Sequence, residues 1–283
     1  MTRDQYLNLP VVKDFIDWMS KRLDAEKAPF PHSYSHRREK NHCYTFSSLA
    51  DAVDQYLFKG KNFEATQECL NNFSKDLKNA LEKDDTEELA NICHNILAWG
   101  NINNGDPANL KDRASLISRL EKAKQELNPL SFDTEKDLSG IRANSGLIKI
   151  YSLLIDNFLM YDSRVGAALC WLVRHFCEET EQEFVPSELA FVYDDKRGDK
   201  HDTRNPSKGH YQFLKFNSRE GKRDRLRLTV QASWILEAVL DKTLPSSQFN
   251  TKPFKDHRFW ALEAALFMVG YKVKKDEIPS ATR

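Results

Sequence analysis

The stretch from Leu147 to Val173 carries the residues best suited to chemistry. It reads LIKIYSLLIDNFLMYDSRVGAALCWLV, two apolar helical stripes with a short break between them, and Asp162 stands where the second helix begins. An aspartate at that position accepts hydrogen bonds from the backbone N–H groups of the first turn and faces the positive end of the helix dipole. These interactions keep the carboxylate ionised and fix its direction. Such a carboxylate can stabilise a developing cation or orient a water molecule.

This stretch resembles the catalytic region of the helix-hairpin-helix DNA glycosylase superfamily. In that superfamily a helix, which carries a lysine in some branches, leads through an extended turn to an aspartate that opens the next helix. The run from Tyr161 to Val165 matches the aspartate and its neighbours, and Lys149 is the candidate for the lysine. The segment from Ile96 to Gly100 resembles an early helix end of such enzymes. The resemblance covers residues 85 to 180.

The resemblance implies excision of a base from double-stranded DNA. The target nucleotide is rotated out of the duplex into a pocket, where its N-glycosidic bond is cut. Asp162 would stabilise the oxocarbenium-like sugar and activate water, and Lys149 would attack C1′ and form a Schiff base, adding strand cleavage. Trp99 and Tyr161 are the candidates for the base pocket, and no cofactor or metal is expected. The expected base is damaged or hypermodified, as in phage genomes, which makes antiviral defence a candidate role.

Each of these residues also has a purely structural interpretation. Most aspartates before an apolar helix only cap that helix. Lys149 lies nearly opposite the stripe of Leu147, Ile150 and Leu154 on a helical wheel, which favours a solvated surface position. Trp99 and Trp171 are of a residue type found more often in the core than as a platform for a stacked base. The alternative function is therefore a non-catalytic helical subunit of a larger assembly that binds nucleic acid or protein.

Apolar residues recur at helical spacing through most of the chain, which predicts a mostly α fold. Pro10 lies near the start of a first amphipathic helix, and Gly100 closes a later stripe in a position suited to a left-handed C-cap. Together with the resemblance, this pattern predicts one mainly helical domain, residues 1–283, made of two lobes. The extruded base would lie between the lobes, near Asp162.

Residues 185–230 are predicted to form a basic insertion. From Asp194 to Arg227 the chain has eleven Lys and Arg against six Asp and Glu. Leu226, Leu228 and Val230 alternate with polar residues, which is typical of a half-buried strand; with residues 211–216 as its partner, this predicts a small β-hairpin. Its basic face would contact the duplex. The candidate DNA-binding residues are Arg164, Lys196, Arg197, Lys208, Lys215, Arg223, Arg225 and Arg227.

Composition limits the classes of protein that remain. The 283 residues contain 42 Lys and Arg against 42 Asp and Glu, so no whole-molecule field attracts the chain to DNA or to an anionic membrane. The longest apolar run is far shorter than the roughly 18 residues of a spanning helix, so no membrane association and a cytoplasmic location are expected. The five cysteines are odd in number and form no C-x-x-C pair, which favours reduced and mostly core thiols. His32, His36 and His42 are expected at the surface.

Overall fold

A computed structural model describes residues 1–24, 28, 31–35, 43–102, 108–195 and 203–273, apart from the side chains of residues 219, 220, 222 and 223. The described chain is mostly helical with a small antiparallel strand pair, which confirms the predicted fold class at that level. No helix in these ranges has both the length and the apolar character needed to cross a membrane. The helices are α1 Arg3–Leu7, α2 Pro10–Ser20, α3 Leu49–Asp54, α4 Phe63–Glu82, α5 Thr86–Trp99, α6 Leu116–Glu126, α7 Ser145–Leu154, α8 Ser163–Glu179, α9 Arg219–Asp241 and α10 Arg258–Val269.

Among the described residues the strands are short and form two separate pairs. β1 (His32–Ser35) and β2 (Cys43–Phe46) are antiparallel, with His32 opposite Phe46. β3 (Val192–Tyr193) and β4 (Leu214–Lys215) are parallel. Neither pair is long enough to organise the fold, so helix packing does so.

Several helices begin at side chains that accept hydrogen bonds from their first turn. Asn62 caps α4, Asp85 caps α5 and Asn144 caps α7. Each carbonyl or carboxylate oxygen satisfies backbone N–H groups that have no partner inside the helix. The helix starts are therefore encoded locally, by single residues.

The helix α10 is largely buried. Its sequence, RFWALEAALFMV, is apolar on nearly every side, as expected of a helix packed all round. It packs against α3, α4, α8 and α9. At its end Gly270 lies so near α8 that a β-carbon there would be 1.8 Å from the carbonyl oxygen of Arg164. The absence of a side chain at Gly270 thus lets α10 meet the first turn of α8.

The N-terminal elements belong to the same core. The helix α2 packs against α8 and α9. On β1, His32 is 7% exposed, with its Nε2 3.1 Å from the carbonyl oxygen of Val269, and the Tyr34 hydroxyl donates to the carbonyl of Met268 at 3.0 Å. The expected surface position of His32 is therefore wrong, because β1 lies against the end of α10. His36 and His42 lie outside the described residues.

The predicted β-hairpin is also wrong. The supposed second strand belongs to α9, a helix of 23 residues that Ser218 caps through a hydrogen bond from the N–H of Gly221. Leu226, Val230 and Trp234 are buried at intervals of four residues, which is a helical period. The six alternating residues are compatible with the two-residue period of a strand and with the 3.6-residue period of a helix. The helix forms because its apolar face continues to Leu240.

Candidate functional site

The connection between α7 and α8 is anchored to two other helices. The N–H of Leu159 donates to the hydroxyl of Ser233 on α9 at 2.9 Å. The N–H of Met160 donates to the carboxyl group of Glu263 on α10 at 2.8 Å. These buried bonds satisfy backbone groups that no helix or strand pairs. They also fix the path of the chain into Asp162.

Asp162 is the N-cap of α8, as predicted. Its Oδ1 accepts from the N–H groups of Arg164 at 2.8 Å and Val165 at 3.1 Å. Its Oδ2 lies 3.6 Å from Nζ of Lys149. Burial opposes ionisation of this carboxyl group, but Lys149, Arg164, the Val165 N–H and Arg204 together lower its pKa below the usual value. Asp162 is therefore an anchored carboxylate with one oxygen held by the helix and the other turned toward a lysine.

Lys149 is buried, so its expected surface position is wrong. It is 7% exposed, and its Nζ lies 3.6 Å from the sulfur of Met160 and 6.0 Å from the centre of the Trp99 ring. Every residue of α7 from Gly146 to Leu154 is buried, because α4, α5 and α6 pack around this helix. The helical wheel places Lys149 on the polar face of α7, and in the folded protein the neighbouring helices cover that face.

The backbone at Gly100 makes room for the Lys149 side chain. A β-carbon on Gly100 would lie 2.7 Å from Cδ of Lys149 and 3.0 Å from Cε. Gly100 is the C-cap of α5, but its φ of −74° is not left-handed, which corrects the expected cap geometry. Glycine is required at position 100 because the aliphatic stem of Lys149 passes directly over its backbone.

Lys149 and Asp162 face one cavity of about 280 Å³. Its walls come from the region before α4, from α4 itself, from the end of α5, from the start of α8 and from α10. Aromatic rings make up much of the lining, and the polar lining groups converge from different helices. The aromatic lining residues are Tyr56, Phe58, Phe63, Trp99, Trp260 and Phe267. This combination of apolar walls and a few convergent polar groups is typical of a small-molecule or nucleobase site.

Glu263 is a lining residue that the sequence analysis missed. It is 9% exposed, and its Oε2 accepts the N–H of Met160. Burial raises its pKa to about 7, an effect that the Met160 N–H and Lys149 only partly offset. A signal existed in the sequence, since Glu263 is the only acidic residue in the apolar run of α10.

Gln67 is a second missed residue of the cavity. It lies on α4, is 5% exposed, and its Nε2 has no hydrogen-bond partner among the residues that the structure describes. A buried amide donor without a partner costs free energy unless a ligand or water completes it. Its signal in the sequence was a polar residue beside Thr66 on the apolar stripe that contains Leu70.

Arg164 lines the cavity beside Asp162. Its guanidinium lies 4.0 Å from the centre of the Phe267 ring and 5.0 Å from that of Tyr271. Next to it, Arg204 donates from Nη1 to the hydroxyl of Ser163 at 2.7 Å. Two guanidinium groups therefore stand near the carboxylate, and they favour its ionised form.

The two candidates for the base pocket have different positions. Trp99 lines the cavity, with its ring centre 5.1 Å from that of Phe58. Tyr161 does not: its ring is fully buried, and its hydroxyl donates to the carbonyl of Val192 at 2.8 Å. The proposed role of Tyr161 in the pocket is wrong, because its ring is packed inside the protein against Phe216.

The predicted DNA-binding residues do not form one exposed face. Arg225 is 9% exposed, with its guanidinium 4.3 Å from the centre of the Phe216 ring, so its predicted surface role is wrong. Arg227 donates to the carbonyl of Thr134 at 2.6 Å and pairs with an aspartate one turn away. The exposed Lys208 and Lys215 are paired with Glu178 and Asp195, respectively. Lys196, Arg197 and the side chain of Arg223 lie outside the described residues.

Comparison with known proteins identifies no relative from which a function could be transferred to this site. No family model, no curated protein and no solved structure matches the chain. Within the described part of the chain, no three His, Cys, Asp or Glu side chains are grouped to hold a metal ion. The chemistry available at the cavity is that of Lys149, Asp162, Arg164, Glu263, Gln67 and the surrounding rings.

Proposed function

We propose that the protein is a DNA glycosylase that takes a damaged or modified base into the cavity and cuts its N-glycosidic bond. The observation that carries the proposal is the pairing of Lys149 Nζ with Asp162 Oδ2, 3.6 Å apart, at the wall of an aromatic-lined cavity. Chemistry on a base inside a duplex requires the nucleotide to leave the stack, and stacking on aromatic side chains compensates for lost base stacking. Trp99, Phe58 and Trp260 supply such rings.

The carboxylate of Asp162 has a clear role in this reaction. As the bond from C1′ to the base breaks, the base departs with the bonding electron pair and the sugar becomes positively charged. An anchored carboxylate lowers the energy of that charge, since it is oriented before the reaction and requires no reorganisation. Water then adds at C1′ and loses a proton, which yields an abasic site.

Lys149 allows a second course at the same carbon. The ammonium group would first pass a proton to the Asp162 carboxylate. The neutral amine would then attack C1′, forming a carbon–nitrogen bond as the bond to the base breaks, and opening of the sugar ring would give a Schiff base. This intermediate permits strand cleavage. The crossing of the Lys149 stem over Gly100 and the contact with Met160 restrict its side chain to the cavity wall.

Excision is tested with duplexes that carry different damaged and modified bases, followed by alkali treatment and gel analysis of strand breaks. The variant Asp162→Asn keeps an oxygen for the helix cap and removes the charge, so we expect no abasic sites. The matched control is Asp85→Asn, which alters the N-cap carboxylate of α5, whose Oδ1 accepts the N–H of Glu88 at 3.0 Å. The control should excise at the wild-type rate. Excision by Asp162→Asn at that same rate, or none by the wild-type protein on any duplex, contradicts the proposal.

The two courses are separated by borohydride trapping. A Schiff base is reduced to a stable covalent complex between protein and DNA, which migrates slowly on a denaturing gel. The control for Lys149→Met is Lys78→Met, which removes another lysine paired with an aspartate, at 2.6 Å, but on the surface. If wild type and Lys78→Met form the covalent complex and Lys149→Met does not, the attacking amine is that of Lys149. If wild type excises the base but forms no covalent complex, only the hydrolytic course remains.

A further inference from the structure

The cavity contains two polar groups that the Lys149 and Asp162 chemistry leaves unused. Gln67 enters from α4 and Glu263 from α10, so they approach the cavity from different helices. Both are buried, at 5% and 9% exposure. Burying polar groups at this depth is costly unless something satisfies them.

The hydrogen bonding of both side chains is incomplete. Nε2 of Gln67 is buried and unpartnered in the described part of the chain. Glu263 uses Oε2 to accept the Met160 N–H, and Oε1 accepts no hydrogen bond from any described residue. Both residues line the cavity, so an occupant that reaches the Gln67 amide and Oε1 of Glu263 would complete their hydrogen bonding.

We propose that Gln67 and Glu263 bind the hydrogen-bonding edge of the base, and that they select a base with an exocyclic amino group over the analogue with a carbonyl there. Gln67 donates from Nε2 to an acceptor that both analogues share, O2 of a pyrimidine or N7 of a purine, and Oε1 of Glu263 accepts from the amino group. This inference rests on the proposed function, because it takes the occupant of the cavity to be a nucleobase.

The preference follows from the chemistry of a carboxyl group. An ionised carboxylate only accepts hydrogen bonds, and a protonated one still offers an accepting oxygen. An amino group is therefore compatible with both forms, whereas a carbonyl faces repulsion from the ionised form. A protonated carboxyl group can also donate to a carbonyl, so the preference belongs to the ionised form, which predominates at pH 8 because burial raises the pKa of Glu263 to about 7. Cytosine and adenine carry the amino group, and uracil and hypoxanthine carry a carbonyl at the same position.

Binding is measured by equilibrium dialysis at pH 8 of the full chain against radiolabelled N1-methylcytosine and N1-methyluracil, in which a methyl group replaces the sugar. The pair N9-methyladenine and N9-methylhypoxanthine repeats the comparison for purines. We expect wild type to bind the amino compound of at least one pair about tenfold more tightly than its carbonyl partner. Equal affinities within both pairs, or no binding of any of the four, overturn the inference.

Two variants test the assigned roles. Glu263→Gln can still accept the Met160 N–H and offers an NH₂ donor instead of an acceptor, so the preference should reverse toward the carbonyl compound. Gln67→Leu should weaken both members of the bound pair about tenfold, because both present an acceptor to Nε2. The control Glu68→Gln lies at the next, exposed position of α4 and should bind as wild type. Thermal unfolding verifies that each variant is folded, and an unchanged preference in folded Glu263→Gln contradicts its role.

The outcomes separate this inference from the proposed function. Base binding does not require Asp162, so Asp162→Asn should keep the preference for the amino compound while losing excision. Selective binding without excision of any duplex supports the base-edge contacts and contradicts the glycosylase. Excision with no amino preference in binding, or without sensitivity to Gln67 and Glu263, contradicts the base-edge contacts and leaves the glycosylase standing.

Discussion

The Lys149 side chain crosses the C-cap of α5 directly above Gly100, where a β-carbon would lie 2.7 Å from Cδ. The two residues are far apart in the sequence, and their contact brings the end of α5 into the wall of the cavity. Because Gly100 has no side chain, the Lys149 stem can pass over it, and this path determines where the ammonium group lies. Because Asp162 is anchored by its own helix, the geometry of the pair depends on this crossing.

Gly100→Ala should displace Lys149 while preserving the backbone, since its φ of −74° suits alanine. We expect a roughly 100-fold lower single-turnover rate of excision on a duplex that the wild type cleaves. The free energy of unfolding should fall by about 1–3 kcal/mol from overpacking. The control is Gly140→Ala, where the new β-carbon meets only the terminal atoms of the exposed Lys122 side chain. A wild-type rate in Gly100→Ala argues that the lysine position does not matter.

Asp162 combines a structural and a chemical role, and two substitutions separate them. Asp162→Asn keeps the cap and Asp162→Ala loses it, so denaturant unfolding should show alanine less stable than asparagine by about 1 kcal/mol. Excision should be lost in both. The same pair of substitutions at Asp85, the exposed cap of α5, should reproduce the difference in stability and retain excision. Equal stabilities of the Asp162 variants would show that the cap contributes little.

Glu263 should make stability decrease as pH rises. Its pKa is about 7 in the folded protein, against 4.5 for an ordinary glutamate, so between these values the folded state holds a proton that the unfolded state releases. The free energy of unfolding should therefore fall by roughly 3 kcal/mol between pH 4.5 and pH 7 and then level off. The lowered pKa of Asp162 acts below this window, since its stabilising effect is lost only as pH falls through it.

Urea unfolding at several pH values tests the Glu263 prediction. Glu263→Gln does not titrate and should lack this fall between pH 4.5 and pH 7, whereas the exposed Glu68→Gln should follow the wild-type curve. Parallel curves for wild type and Glu263→Gln would show that the buried carboxyl group does not titrate abnormally.

Phe15 tests whether α2 is part of the core. Its side chain is 0% exposed, with its ring centre 5.5 Å from that of Phe176 on α8. Phe15→Ala should lower the free energy of unfolding by about 4 kcal/mol, measured by denaturant titration. Phe184→Ala removes a side chain that is 60% exposed and should cost under about 0.5 kcal/mol. A small effect at Phe15 would indicate that α2 packs loosely on α8.

Local sequence determined most of the helices and the position of Asp162. Helical periodicity and capping residues act within a few turns, so a stripe such as Leu147, Ile150 and Leu154 predicts its helix without knowledge of the rest of the chain. The same reasoning failed at residues 225–230, because these six residues fit a strand and a helix equally well. There the longer apolar face that continues to Leu240 decides the outcome.

The tertiary structure alone decided which side chains share the cavity. A helical wheel places Lys149 on a polar face, and only the packing of α4, α5 and α6 around α7 buries it beside Asp162. Gln67 and Glu263 reach the same cavity from helices nearly 200 residues apart in the sequence. The physical reason is the distance along the chain over which each effect acts. Helix caps and helical periodicity depend on residues within a few positions of one another. The burial of Lys149, the unpartnered Nε2 of Gln67 and the raised pKa of Glu263 depend on helices that meet only in the folded molecule.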